Sequence, residues 1–329
     1  MLNMIMPASK ENPTPQAFGT VAEMLLATNG DLSGLRTNTT LRQDEWKMMD
    51  EAILRENRRR LIGVADLKSR GLTMDLGNGL ATMIFEYERV GSLGRAQMTM
   101  DGETQGARDR LTFDVGYLPI PIIFQDYSIN ARVLAASRLR GSSIDTTTGE
   151  EAGKSVAEEL EILLFQGASS FTYGSGVLYG YTDAPNRMTG TGTIWGNSGS
   201  DPVTNVRAMK QQMINARFYG PYVVYIPTAY ETVLDDDYVA GYPKTVRARL
   251  LEIGNIEDVK VADFCPANTL IMVNMNSSTV RMVSGMGVTN LQWTQGAGMR
   301  TYFKVMTIDV PQIRYDKSLR CGIVHWTMS

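Results

Sequence analysis

The chain is poor in the residues that most enzyme chemistry needs. A single histidine, His325, stands in 329 residues, so a Ser/His/Asp triad or a multi-histidine metal site has nothing else to draw on. His325 lies in Gly322-Ile-Val-His-Trp326, an apolar, strand-like stretch, and is expected to be a packed or interface residue. The two cysteines, Cys265 and Cys321, are far apart with no second pair. They build neither a disulfide framework nor a CxxC zinc site, and a reducing compartment is expected. No segment approaches the ~18 consecutive apolar residues of a membrane helix, and Met1 to Lys10 lacks the basic and apolar regions of a signal peptide. Charge of one sign is also lacking, since 32 basic residues face 35 acidic ones for a net of −3. No global positive field recruits nucleic acid.

What is present is enough apolar material, 43% of residues, to bury a large core. Residues 1–40 are rich in Asn, Thr, Pro, Gly and Met and read as an extended arm. From Leu41 onward, Met48, Met49, Ala52 and Ile53 fall at helical spacing, with Asp44, Glu45, Asp50 and Glu51 ahead of Arg58-Arg59-Arg60. This predicts an amphipathic helix whose charges suit its dipole, the arginine triplet forming a solvated last turn. Thr82 to Val90, then Arg110 to Val115 and Ile120 to Phe124, are alternating, β-branched and aromatic. Two strands joined by a polar tip predict a hairpin arm, and the tip, about Gly91 to Arg108, has too few apolar residues to fold inward. It is expected to project and meet other subunits.

The firmest helix prediction runs from Gly149 to Gln166, with Val156, Leu160, Leu163 and Leu164 on one face, acids in the first turn and Gly167 as its stop. The following Gly174-Ser-Gly176-Val-Leu-Tyr-Gly180 has the wrong spacing and context for a dinucleotide loop. Residues 202–300 predict a mixed α/β unit: a helix over Val203–Phe218, a buried strand Tyr222–Ile226, a helix after Pro227, another over Val246–Ile253, and strands at Val259–Ala262, Leu270–Asn274 and Thr279–Val283. Asp235, Asp236 and Asp237 cannot all face one cation from a helix end and read as a solvated acidic cap. The last stretch, Thr301 to Trp326, is again strand-like and is expected to return to the earlier sheet.

Three stretches carry a resemblance to a known family. Leu41-Arg-Gln-Asp-Glu-Trp-Lys-Met-Met-Asp50 ending in Arg58-Arg-Arg-Leu-Ile-Gly63 is similar to the N-terminal helix of encapsulin-type shells. Val156-Ala-Glu-Glu-Leu-Glu-Ile-Leu-Leu-Phe-Gln-Gly167 resembles the end of a long spine helix, and Val246–Leu251 through Met272-Val-Asn-Met to Met282-Val-Ser-Gly-Met-Gly287 follows the order of an axial domain. Together they resemble the tailed-bacteriophage major capsid protein fold, which encapsulin shells share. The resemblance implies an α+β fold: N-arm 1–40; N-terminal helix and start of the P-domain 41–79; extended E-loop 80–118; P-domain 119–201 with spine helix 149–166; A-domain 202–300; and a C-terminal P-domain strand 301–329.

It further implies a major capsid protein that forms pentamers and hexamers of an icosahedral shell around double-stranded DNA, held by enclosure and not by tight binding. The alternative is an encapsulin-type shell around a cargo enzyme. No enzyme activity, catalytic residue, cofactor, metal or membrane is expected. Portal, scaffolding and decoration proteins are possible partners, and the virion, made in a bacterial cytoplasm, is the expected location. The candidate interface residues are Arg89, Arg95, Asp101, Glu103, Arg108 and Arg110 of the E-loop, as intersubunit ion pairs, and Asp235, Asp236 and Asp237 at the A-domain tip. Some capsids of this fold weld subunits through an E-loop lysine, but no lysine occurs between Lys68 and Lys154, so that crosslink is not expected here.

Overall fold

The computed structural model describes residues 47–53, 62–91, 98, 100, 110, 113–130, 132, 146–197, 199–239, 242–294, 300–315 and 320–329. After a helical segment 47–53, the helices are α1 (Ile62–Ser69), α2 (Thr147–Phe165), α3 (Pro202–Asn215), α4 (Glu231–Asp235) and α5 (Val246–Leu251). The strands are β1 (Thr73–Asp75), β2 (Ile84–Val90), β3 (Phe113–Pro119), β4 (Ile123–Asn130), β5 (Ala168–Tyr173), β6 (Gly176–Leu178) and β7 (Met188–Gly192) in the first part of the chain. Then come β8 (Tyr222–Pro227), β9 (Asp237–Val239), β10 (Tyr242–Thr245), β11 (Ile256–Ala262), β12 (Thr269–Asn274), β13 (Val280–Thr294), β14 (Arg300–Ile313) and β15 (Ile323–Met328). A four-stranded sheet runs β1-β13-β14-β4 and a five-stranded sheet runs β11-β8-β12-β15-β7.

Helix α2 is the spine between the sheets, and its sequence shows why. Ala152 and Val156 enter one hydrophobic cluster with Phe303 and Val305 of the four-stranded sheet. Ala157, Leu160, Leu164 and Phe165 enter another with Val223, Tyr225, Ile271 and Val273 of the five-stranded sheet. Leu163 turns to a third, with Leu118, Leu178 and Ile308. A stripe this wide commits the helix to burial along most of its circumference. Near its start, a Cβ on Gly153 would lie 3.0 Å from Ile53 Cγ2 and 3.1 Å from the Ile53 carbonyl oxygen, so glycine lets the 47–53 helix pack closely. At its end Gly167 has φ +75° and its N–H donates to the Leu163 carbonyl at 3.1 Å, the left-handed stop predicted from sequence.

Strands β8 and β12 are buried at every position. Their alternate residues feed opposite layers. Tyr222, Val224, Ile226, Leu270 and Met272 pack beneath α3 and α5, and Val223, Tyr225, Ile271 and Val273 pack against α1 and α2. Helix α3 begins at an N-cap, Asp201, whose carboxylate accepts from the N–H groups of Val203 at 3.0 Å and Thr204 at 3.2 Å, with Pro202 in the first turn.

Helix α1 is short, has no acid in its first turn, and has its start stabilised from elsewhere. The Glu161 carboxylate on α2 accepts from the N–H groups of Gly63 at 2.7 Å and Val64 at 3.4 Å. Burial pushes the Glu161 carboxyl up from its usual 4.5 to about 7, against the pull of the backbone donors of Gly63, Val64 and Ile62. A raised carboxyl favours the folded state when protonated, so this contribution is full below pH 4.5 and is lost as the pH rises through about 7. The loss amounts to roughly 3 kcal/mol across that window. Denaturant midpoints measured across it are expected to fall with rising pH in the wild type and to flatten in Glu161→Gln; an unchanged slope in the variant would remove Glu161 as the cause.

The segments drawn from sequence and the sheets divide the chain differently. Strand β13, which lies wholly within the sequence-drawn 202–300 unit, runs 15 residues and pairs with β14 and β1, so it belongs to the four-stranded sheet. The C-terminal stretch splits: β14 pairs with β4 of the earlier sheet, whereas β15 inserts antiparallel to β12 and parallel to β7 in the five-stranded sheet. Register shifts between Ser284 and Met286 and between Met286 and Thr289 let β13 continue past Gly285 and Gly287, beyond the Thr279–Val283 strand expected from sequence. Within the first helix expected from Leu41 onward, 47–53 is helical and Arg58, Arg59 and Arg60 lie outside the described residues, while α1 adds a helix over Ile62–Ser69.

Candidate assembly surface

Strands β2 and β3 form an antiparallel pair that joins neither main sheet. This is the hairpin predicted from alternation, with Ile84 opposite Pro119 and Val90 opposite Phe113. Its inner face carries Tyr87 and Arg89 over a groove of about 280 Å³ lined also by Tyr179, Ile313 and Tyr315. Arg89 fastens the hairpin to the body. Its guanidinium donates to the Tyr315 hydroxyl at 2.7 Å, stands 5.0 Å from the centre of that ring, and pairs with Asp114 of the neighbouring strand at 2.6 Å. Burial pushes the Tyr87 and Tyr315 hydroxyls up, so both stay neutral donors and acceptors here.

The outer face is different. Phe113, Val115 and Tyr117 are 60%, 44% and 36% exposed, an apolar stripe at every second residue. This apolar stripe is open to solvent on a strand pair that has no third strand. Of the residues singled out in the sequence, Arg89 therefore already has partners within the chain, and Arg110 is exposed. Arg95, Asp101, Glu103 and Arg108 lie outside the described residues. Asp235, Asp236 and Asp237 are exposed where α4 runs into β9, and Asp235 lies 3.7 Å from Arg247. Asp114 and Tyr315 went unnoticed in the sequence, because nothing in the chain order announces a contact 226 residues away.

Groups with reactive potential are held inert. Burial pushes the Cys265 thiol up to about 11 and Cys321 to about 12, and both are free. His325 accepts a hydrogen bond from Arg187 Nε at 3.2 Å, and burial and that guanidinium hold its pKa below the usual imidazole value. Among the described residues no group of three or more His, Cys, Asp or Glu side chains is placed to hold a metal ion, and no helix is long and apolar enough to cross a membrane. In the Gly174–Gly180 segment, Gly174 and Ser175 are the turn of the small β5–β6 hairpin and Gly176 to Leu178 are its second strand.

The match to a family model extends over residues 36–326, nearly the whole chain. The chain belongs to DUF6260, a family of unknown function. Among curated proteins, this DUF6260 chain is 26% identical over 184 residues to the type 1 encapsulin shell protein EncA of Myxococcus xanthus. That match takes in 56% of this chain and spans 60% of the relative's length. Among solved structures it is similar to a virus-like particle from Pyrococcus furiosus, with TM-score 0.61 and 17% identity over 85% of this chain and 98% of the other. It is likewise similar to the capsid of Myoviridae phage XM1, with TM-score 0.60 and 12% identity over 81% and 92% of the two chains. The DUF6260 chain thus has the α+β fold of tailed-phage major capsid proteins that encapsulin shells share, and these relatives are shell proteins and not enzymes.

Proposed function

We propose that copies of this chain assemble as pentamers and hexamers into a closed icosahedral shell, as the major capsid protein of a tailed phage around double-stranded DNA. The observation that carries the reading is the β2–β3 hairpin, which joins neither main sheet and carries an apolar outer stripe. Covering it with a neighbour stabilises by roughly 25 cal/mol per Å² of apolar surface, repeated at each subunit of a closed lattice. In this reading residues 1–40 are the N-arm, 80–118 the E-loop, 119–201 the P-domain and 202–300 the A-domain, and Arg95, Asp101, Glu103, Arg108, Arg110 and Asp235 to Asp237 face neighbours. A net charge of −3 suits a wall that encloses DNA without gripping it. Portal, scaffolding and decoration proteins would complete the particle, and the virion would be its location.

A second reading, an encapsulin-type shell around a cargo enzyme, is favoured by the likeness to EncA and by the near-complete coverage of the Pyrococcus furiosus particle protein. Expression of the chain alone, size exclusion with mass measurement and negative-stain microscopy test the shell itself. Closed particles, or rings of five and six, are expected. A monomer that stays monomeric with its neighbouring gene products present would end the reading. Nucleic-acid absorbance against a co-purifying protein then separates genome from cargo.

A further inference from the structure

Between Asp201 and Glu231 the chain carries no acid, although 35 of its residues are acidic, and in the same stretch it carries three cations, Arg207, Lys210 and Arg217. Helix α3 turns Val203, Val206, Met209 and Met213 onto the five-stranded sheet and leaves Arg207 exposed, with Lys210 partly exposed one turn later. Lys210 Nζ donates to the Gly254 carbonyl, and Asn255 Nδ2 donates to the Tyr219 carbonyl at 3.0 Å. The loops that follow α3 and α5 therefore lie side by side, which brings Tyr219, 64% exposed, to this surface. None of the three cations has an acid partner among the described residues. The acids at its border are already taken: Glu252 is shared by Lys244 and Arg249, and Glu257 pairs with Arg70.

Arg217 adds a second observation. It follows the helix C-cap Ala216 at φ +66°, its N–H donating to the Ile214 carbonyl at 2.9 Å. Glycine is the unstrained residue at such a position. An arginine there costs stability, and its exposed side chain makes no contact among the described residues to offset the strain. A cation suits the negative end of the helix dipole, but Arg207, in the middle of α3, gains nothing from it.

We propose that Arg207, Lys210 and Arg217, with Tyr219 beside them, form a contact surface for the phosphate backbone of duplex nucleic acid. A protein partner would have to supply an acid for every cation, whereas a duplex presents one negative charge per ~1.7 Å of its axis. The Tyr219 hydroxyl adds a donor that phosphate oxygens accept whatever the base sequence. The inference rests on the shell reading only for the source of the duplex. Three contacts per subunit are weak and sensitive to salt, in keeping with the net charge of −3, and repetition through a lattice adds them up.

The test titrates the full chain into fluorescein-labelled duplex DNA of about 30 base pairs and reads anisotropy at several salt concentrations. The wild type is expected to give a slope of log affinity against log salt of roughly −2 to −3, and Arg207→Gln or Lys210→Gln to reduce it by about one each. Arg217→Gly is expected to weaken binding about threefold to tenfold while raising the denaturant midpoint, because it removes a charge and relieves the left-handed backbone. Arg300→Gln, at an exposed cation of the four-stranded sheet, is the control and is expected to leave the affinity unchanged. Far-UV circular dichroism separates misfolding from lost binding. A wild type that does not bind, equal losses from Arg300→Gln and Arg207→Gln, or capture by anionic lipid vesicles in preference to the duplex would overturn the assignment. Each of these leaves the shell reading standing if particles form, and a wild type that binds the duplex but never associates would end the shell reading alone.

Discussion

Asp66→Ala is expected to lower the stability of the subunit by about 3 to 5 kcal/mol, read as a shift in denaturant midpoint. Asp66 is only 4% exposed, on α1, and its carboxylate accepts from Lys260 Nζ at 2.6 Å, Arg70 Nε at 3.0 Å and the Tyr225 hydroxyl at 2.8 Å. Burial alone would raise its pKa, but the hydrogen bonds from Lys260, Tyr225 and Arg70 outweigh burial and hold it below the usual carboxylate value. Its contribution is therefore present above the ordinary aspartate range and lost as the pH falls through the depressed value. Alanine leaves Tyr225 buried without this acceptor and two cations without their shared counter-ion. The cations keep second partners, Glu257 for Arg70 and Asp258 for Lys260, which sets the effect toward the lower end. Asp66→Asn, which retains an acceptor for Tyr225, is expected to cost roughly half as much. Equal losses for Ala and Asn would locate the whole effect in the charge.

The second large effect is expected at Gly167. A Cβ there would lie 2.4 Å from both Asp183 Oδ1 and the Gly180 nitrogen, in a backbone already at φ +75°. The spine helix must stop and reverse at this point, since the N–H groups of Tyr181 and Thr182 donate to the Leu164 and Phe165 carbonyls at 2.9 and 3.0 Å. Gly167→Ala combines left-handed strain of ~1 kcal/mol with displacement of a neighbouring backbone. A loss of about 3 kcal/mol or more is expected, or insoluble protein, as for overpacked sites. A soluble variant with a wild-type denaturation midpoint would show that the chain reversal has room that the packing denies.

What was legible in the sequence follows from the range of the forces involved. The spine helix could be read because its apolar stripe, its acidic first turn and Gly167 all lie within twenty or so neighbouring positions. The β2–β3 hairpin could be read because its alternation is local. Helix α1 was not singled out in the sequence because its start is stabilised by Glu161, 98 residues away. The sheet assignments of β13 and β15 escaped for the same reason, since pairing partners are chosen by the tertiary fold and not by propensity. At the surface, the arginines of the hairpin were visible as charges, but Arg89 was already committed to Tyr315 and Asp114. The surroundings of Lys304 emerged only from the register that sets it among Phe124, Asp126 and Trp293.

The position of β15 has a consequence in time. Strand β15, late in the chain, is an inner strand of the five-stranded sheet, between β12 and β7, so that sheet cannot close until residues 323–328 have left the ribosome. The nascent chain therefore waits without its finished core, because these long-range pairings form only when the final segment arrives. Arrival of β15 acts as a checkpoint: only a chain that carries residues 323–328 can join β7 to β12, and one that lacks them is left with an unfinished sheet.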